Sequence, residues 1–167
     1  MKKITFILLV SLISGTAFAQ NEDNASAEAF AEIVEPLSIT NVDNSQLRFG
    51  RIIGSSDGGT VTIAETLDGN RDASSTDLLA PGGVESSAVF NISGSTYTYS
   101  VLLTPTDLTF QGEATEGNTD ALSLEATPSF EANTGDNTLY VGGTLTIGAN
   151  QAAGNYQGNV DVTVSYE

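Results

Sequence analysis

Apolar and polar residues alternate with a period of two along most of the chain after residue 26. That period places successive side chains on opposite faces of an extended strand. The alternating segments are rich in Val, Ile, Thr, Tyr and Phe, and turn-forming Gly, Asn, Asp and Pro residues separate them. The pattern predicts strands at residues 27–40, 47–53, 60–65, 87–93, 96–104, 108–111, 121–130, 138–147 and 155–166.

Most of these strands have one apolar and one polar face. Tyr99, Val101 and Leu103, for example, share one face of their strand. Such strands are typical of antiparallel sheets, so the pattern favours an all-β fold in which antiparallel sheets pack as a β-sandwich. A closed up-and-down barrel is the alternative. The polar, Gly- and Asp-rich segments 67–84 and 112–120 are predicted to be exposed loops.

The first 19 residues have the pattern of a secretory signal peptide. Lys2 and Lys3 precede a mostly apolar run at 4–13, and Ala17 and Ala19 supply the small residues that a signal peptidase reads. The alternative is an N-terminal anchor or a buried hydrophobic helix. We predict a signal peptide at 1–19, a flexible tip at 20–26 and a single sandwich domain at 27–167. The protein is then exported, in the periplasm in transit and finally at the cell surface or outside the cell.

Charge disfavours several classes of partner. The chain has a formal net charge of −16, and both lysines lie in the predicted signal. Arg48, Arg51 and Arg71 then remain against 21 acidic residues. Phosphate backbones and anionic lipid surfaces would repel such a chain, so we expect no nucleic-acid partner and no membrane insertion. The acidity itself is typical of a soluble exported protein.

The composition also disfavours catalysis. The chain has no His, Cys or Trp, which removes a Ser-His-Asp relay, a thiolate nucleophile, a disulfide framework and a zinc site. A carboxylate pair is the remaining catalytic device, but no acid lies in an apolar stretch that would raise its pKa. Residues 68–72 have some oxygen ligands of a calcium loop, yet Arg71 interrupts them and no bidentate Glu follows. We therefore expect no catalytic residue, no cofactor and no metal site.

The C-terminal strand has the longest apolar row. The residues on this face are Gly154, Tyr156, Gly158, Val160, Val162, Val164 and Tyr166. One interpretation is an ordinary last strand whose inner face lies in the core. The other follows from the absence of a later strand in the sequence: we expect one edge of this strand to stay unpaired and to invite a second chain.

This C-terminal pattern resembles the signature of chaperone–usher pilin subunits, at Gly154, Val160, Val162, Val164 and Tyr166. More of the chain resembles an uncharacterised family of secreted bacterial proteins, a domain of unknown function. The matching stretches are 36–39, 47–50, 59–63, 88–94, 141–145 and 153–158. The chain is also similar to spore coat protein U and to the archaic, Csu-type pilins, which share its L-x-F-G element and its terminal strand.

The resemblance implies an immunoglobulin-like sandwich that is incomplete and is completed by a donor strand. It also implies a structural role at the cell surface, with self-association into a fibre or pairing with a periplasmic chaperone. The candidate donor row is Ala27, Ala29, Ala31 and Ile33, whose side chains are small for that purpose. The same segment could instead be the first strand of a complete monomer.

Two hypotheses on function therefore stay open. The first is a non-enzymatic, pilus-like or fibre-forming surface subunit that assembles by donor-strand pairing. The second is a monomeric secreted β-sandwich module that binds divalent cations or glycans through its Gly- and Asp-rich loops.

Overall fold

A computed structural model describes residues 23–94, 96–113 and 117–167, and the regular secondary structure in these residues is almost entirely β-strand. The predicted signal peptide lies outside the described residues. Thirteen strands and one turn of 3₁₀ helix, Thr76–Leu78, are present in the described part. The strands are β1 Ser38–Asn41, β2 Arg48–Phe49, β3 Gly59–Ile63, β4 Arg71–Ala73, β5 Glu85–Ser86, β6 Ala88–Ser93, β7 Thr98–Pro105, β8 Thr109–Phe110, β9 Ser123–Pro128, β10 Ala132–Thr134, β11 Asn137–Ile147, β12 Tyr156–Gln157 and β13 Val160–Tyr166. The prediction of an all-β fold is confirmed.

All of these strands belong to one compact unit, Val34–Glu167. The other unit is Met1–Ile33, and its described part, residues 23–33, has no regular secondary structure. Every residue from 23 to 33 is exposed.

The larger sheet is built around β11, the longest strand in the described residues. The first half of β11 pairs with β6 and its second half with β3, both antiparallel. Because Val141 pairs with both Ala88 and Pro128, β9 must lie along the opposite side of β11. β1 extends the sheet beyond β6, and β4 extends it beyond β3.

A second antiparallel sheet has the order β10-β7-β13. Tyr99 and Val101 of β7 are buried in the same cluster as Ile92 of β6 and Leu139 and Val141 of β11. The two sheets therefore pack face to face, as in a β-sandwich. A second core cluster lies under the β3–β9 half of the larger sheet, and its buried members are Phe49, Val61, Ile63, Leu78, Leu122, Leu124, Leu145 and Ile147.

Tyr156 anchors the turn that leads into the last strands. Its hydroxyl donates to the carbonyl oxygen of Ala152 at 3.0 Å and accepts from Gln151 Nε2 at 2.9 Å. Its ring meets that of Phe110 edge-on, with 5.3 Å between centroids. A tyrosine hydroxyl bonded to a backbone carbonyl a few residues upstream also occurs in the tyrosine corner of immunoglobulin-like sandwiches.

The observed strands are shorter or longer than the predicted ones where pairing with a neighbouring strand, rather than the local sequence, sets their ends. The strand predicted at 27–40 forms only at Ser38–Asn41, so that prediction is wrong for 27–37. The strand predicted at 47–53 shrinks to β2, because Gly50 has a φ of 71° and turns the chain. The predicted loop 67–84 contains β4 and the 3₁₀ turn, whose Leu78 is buried.

Candidate functional site

The last strand, β13, lies at the edge of the smaller sheet. It pairs with β7 along its whole length, from Val160 opposite Pro105 to Tyr166 opposite Tyr99. Among the described residues, β7 is its one neighbouring strand. The long side of β13 away from β7 is therefore an unpaired strand edge within the described part of the chain.

The hydrogen-bond register shows which backbone groups point to that open edge. The N–H of Thr106 donates to Asn159, and the N–H of Glu167 donates to Thr98. In an antiparallel pair, hydrogen-bonded and non-hydrogen-bonded residues alternate. The odd-numbered residues of β13 therefore bond to β7. The N–H and C=O groups of Val160, Val162 and Val164 point away from it, toward the open edge.

The side chains of these same valines point into the sandwich. Val160, Val162, Val164 and Tyr166 are half-buried and pack against the β6–β7–β11 cluster, whereas Asp161, Thr163 and Ser165 are exposed. On the neighbouring strand, Tyr99 is fully buried. The core is thus covered at β7 and only partly covered at β13.

A groove runs beside the beginning of β13. Its lining includes Val160 and Tyr156 as well as Asn41 and Leu47. The groove has a volume of about 390 Å³. Four apolar side chains in its lining are Ala88, Phe90, Leu108 and Leu124. A wider cleft of about 1230 Å³ shares Leu47, Phe49, Leu108 and Tyr156 with it and adds Leu122, Leu145 and Ile147. Since several of these residues belong to the buried core, the groove opens directly onto the core.

The opposite end of β13 is tied to the segment that leads into β1. The Tyr166 hydroxyl donates to the carbonyl oxygen of Glu35 at 2.5 Å. Gly94 lies beside this bond, and a Cβ there would come within 2.6 Å of Leu37 Cδ2 and 3.3 Å of the Tyr166 hydroxyl. The space beside Tyr166 is therefore filled by its own chain.

The two glycines of the predicted apolar row pack against their own chain. A Cβ on Gly154 would collide with the Phe110 ring. A Cβ on Gly158 would lie 2.7 Å from the Thr106 carbonyl oxygen. Gly154 and Gly158 thus let the chain approach residues 106–110 closely. The side chains on the predicted apolar face are then those of the three valines and of Tyr156 and Tyr166.

Arg71 fixes the groove wall formed by the L-x-F-G element. Its guanidinium donates to the carbonyl oxygens of Phe49 at 3.0 Å, Arg51 at 3.1 Å and Ala80 at 3.3 Å. It lies over Gly50, where a Cβ would collide with it. The sequence pattern indicated Arg71 as one of three remaining cations and as the residue that interrupts a calcium loop, and it predicted no structural role for this side chain. The signal that could have found it is its rarity, as one of three arginines in the chain.

The candidate donor residues Ala27, Ala29, Ala31 and Ile33 are all exposed. Ile33 is 97% exposed and its neighbour Phe30 is 89% exposed, which is unusual for side chains of this size. Their proposed pairing with a second chain stays a prediction.

Two further observations concern other kinds of site. Within the described residues, no three or more acidic side chains are grouped closely enough to hold a metal ion. No helix in the same residues has the length and apolarity needed to cross a bilayer.

Comparison with known proteins identifies the family. Residues 37–166 match the model of a domain of unknown function, DUF4402, and the chain belongs to this family. The match runs from the residue before β1 to the end of β13, so it covers every strand of the sandwich. No curated protein and no solved structure matches the chain at a significant level.

Proposed function

We propose that this DUF4402 protein is an exported, non-enzymatic structural subunit that takes up an extended segment of a second copy as an extra strand along β13. The observation that carries the proposal is the combination found on this one strand. Val160, Val162 and Val164 turn their backbone groups to an open edge and their side chains to a half-covered core. An added strand would form hydrogen bonds with these backbone groups, and its alternate side chains would cover the groove.

The segment before β1 suits the role of the added strand. Residues 25–33 of an extended chain would span about 30 Å, at about 3.3 Å per residue, and the seven residues of β13 span about 23 Å. Ala27, Ala29, Ala31 and Ile33 would face the groove, and Ile33 would supply the largest side chain. Because alanine buries little apolar area, main-chain hydrogen bonds would provide much of the affinity.

The cellular setting of the proposal comes from the sequence. The predicted signal at 1–19 would carry the chain across the inner membrane. The resemblance to chaperone–usher pilins suggests a periplasmic chaperone that covers β13 in transit and a fibre at the cell surface afterwards. Open strand edges that are not covered in this way tend to aggregate.

The test is assembly of residues 20–167 carrying matched substitutions in the segment. Ala29→Asp adds a charge to the face that would enter the groove, and Ser26→Asp adds the same charge to the opposite face. We expect the unsubstituted chain and the Ser26→Asp variant to form oligomers that grow with concentration. The Ala29→Asp variant should remain a folded monomer because burying a carboxylate is costly. Sedimentation velocity, electron microscopy and circular dichroism provide the readouts.

Three results would overturn the proposal. The first is an unsubstituted chain that stays monomeric at every concentration. The second is an Ala29→Asp variant that assembles as well as the unsubstituted chain. The third is an Ala29→Asp variant that unfolds, because residues 27–33 would then be an integral strand of their own domain.

A further inference from the structure

The exposed positive side chains of the sandwich unit are concentrated at one end of the groove. Residues 20–167 contain three cationic residues, Arg48, Arg51 and Arg71. Arg71 is committed to three backbone carbonyls inside the groove wall. Arg48 and Arg51 are exposed and both line the wide cleft beside Tyr156, away from the Tyr166 end of β13. Arg48 Nη2 donates to the neutral amide oxygen of Gln46 at 2.6 Å.

The segment proposed to enter the groove, residues 25–33, and the two residues on either side of it have the opposite charge. Residues 23–35 contain four acids, Asp23, Glu28, Glu32 and Glu35, and no cation. The rest of the acceptor is acidic as well, and β13 itself presents Asp161 and is followed by Glu167. An approaching acidic segment is therefore repelled over most of the surface and attracted at the wide end of the groove.

We infer that Arg48 and Arg51 are the electrostatic docking site for the acidic N-terminal segment of a second copy. This inference rests on the proposed function and deepens it. Two of the four acids, Glu32 and Glu35, lie at the C-terminal end of the segment. Placing that end at the arginines keeps it away from Glu167. The reverse orientation would place Glu32 and Glu35 beside Glu167, where like charges repel.

The test measures the assembly rate of residues 20–167 in variants that reverse the charge of the arginines, of the acids in the segment, or of both. In about 0.01 M salt, where charges act over about 30 Å, Arg48→Glu with Arg51→Glu should slow assembly about tenfold or more. Arg48→Lys with Arg51→Lys should assemble at nearly the normal rate. Adding Glu32→Arg and Glu35→Arg to the reversed chain should restore assembly, whereas adding Glu28→Arg, farther from the arginines, should restore much less. In about 1 M salt, where the Debye length is about 3 Å, the variants should converge.

The outcomes distinguish a failure of this inference from a failure of the proposed function on which it rests. Thermal melting of the monomeric fraction should be the same in the unsubstituted and reversed chains, which excludes a folding defect as the cause. If the unsubstituted chain assembles and the reversed chain assembles equally fast at low salt, the docking site is wrong and strand addition survives. If restoration fails with Glu32→Arg and Glu35→Arg, the arginines act on a different part of the partner and the inference is also wrong. If no chain assembles under any condition, the proposed function itself fails.

Discussion

Two edge strands of the sandwich, β4 in the larger sheet and β13 in the smaller, are built differently. β4 has three residues, of which Arg71 bonds to neighbouring carbonyls and Asp72 Oδ1 accepts the N–H of Ala73 at 2.8 Å. β13 has seven residues, five of them Val, Thr or Ser, and one charge, Asp161. Short length, charge and side-chain capping protect an edge from pairing. The fold thus protects β4 and leaves β13 fit to pair with another strand.

Val162→Asp should have the largest effect, because it tests whether the inner face of β13 is core. The carboxylate would enter the β6–β7–β11 cluster, where Val162 packs half-buried. We expect a loss of about 2–4 kcal/mol in the free energy of unfolding, measured by urea denaturation. Thr163→Asp is the matched control, because Thr163 is exposed on the outer face of the same strand, and it should change stability by about 0.5 kcal/mol or less. Equal losses in both variants would mean that the two faces are not distinct.

Arg71→Ala should come next, because it removes the side chain that protects the β4 edge. Three carbonyl oxygens would lose a charged donor, and we expect a loss of about 2 kcal/mol in the free energy of unfolding. Arg51→Ala is the control, since Arg51 is exposed and its loss should cost much less. A neutral Arg71→Ala variant would show that the wall of Phe49 and Gly50 holds its position without the guanidinium.

The sequence predicted strand β13 but predicted a loop where β4 lies, and this difference has a physical cause. The alternation of β13 is local, and each valine falls on the predicted face whichever strand lies beside it. β4 is too short to show a period, and what defines it is the reach of Arg71 to carbonyls about 20 residues earlier and nine residues later in the chain. Residues 27–33 carry the alternating pattern and form no strand, because alternation makes a strand only where a partner supplies hydrogen bonds. The apolar lining of the wide cleft, which includes Leu122, Leu145 and Ile147, forms only when the sheets pack. No single segment of the sequence could therefore predict it.

Tyr166→Phe should have a smaller effect, confined to the end of β13. It removes the hydroxyl that donates to Glu35, and we expect a loss of about 1 kcal/mol or less. The control is Tyr140→Phe on β11, which also removes one tyrosine hydroxyl, at a half-buried site in the larger sheet. If both variants melt alike, the bond to Glu35 adds nothing to the stability of the β13 end.

Hydrogen exchange leaves the protein unchanged and gives the sharpest test of the open edge. In the monomer, the amides of Val160, Val162 and Val164 point away from β7 and should exchange fast, whereas those of Asp161, Thr163 and Ser165 should be protected by their bonds to β7. This alternation along one strand is what an unpaired edge predicts, since a strand with neighbours on both sides protects every amide. In the oligomer, the three valine amides should become protected while the other three change little. Residue-resolved NMR exchange measures both states. Uniform protection of β13 in the monomer would place a strand on its second side and remove the difference between β13 and the protected edge at β4.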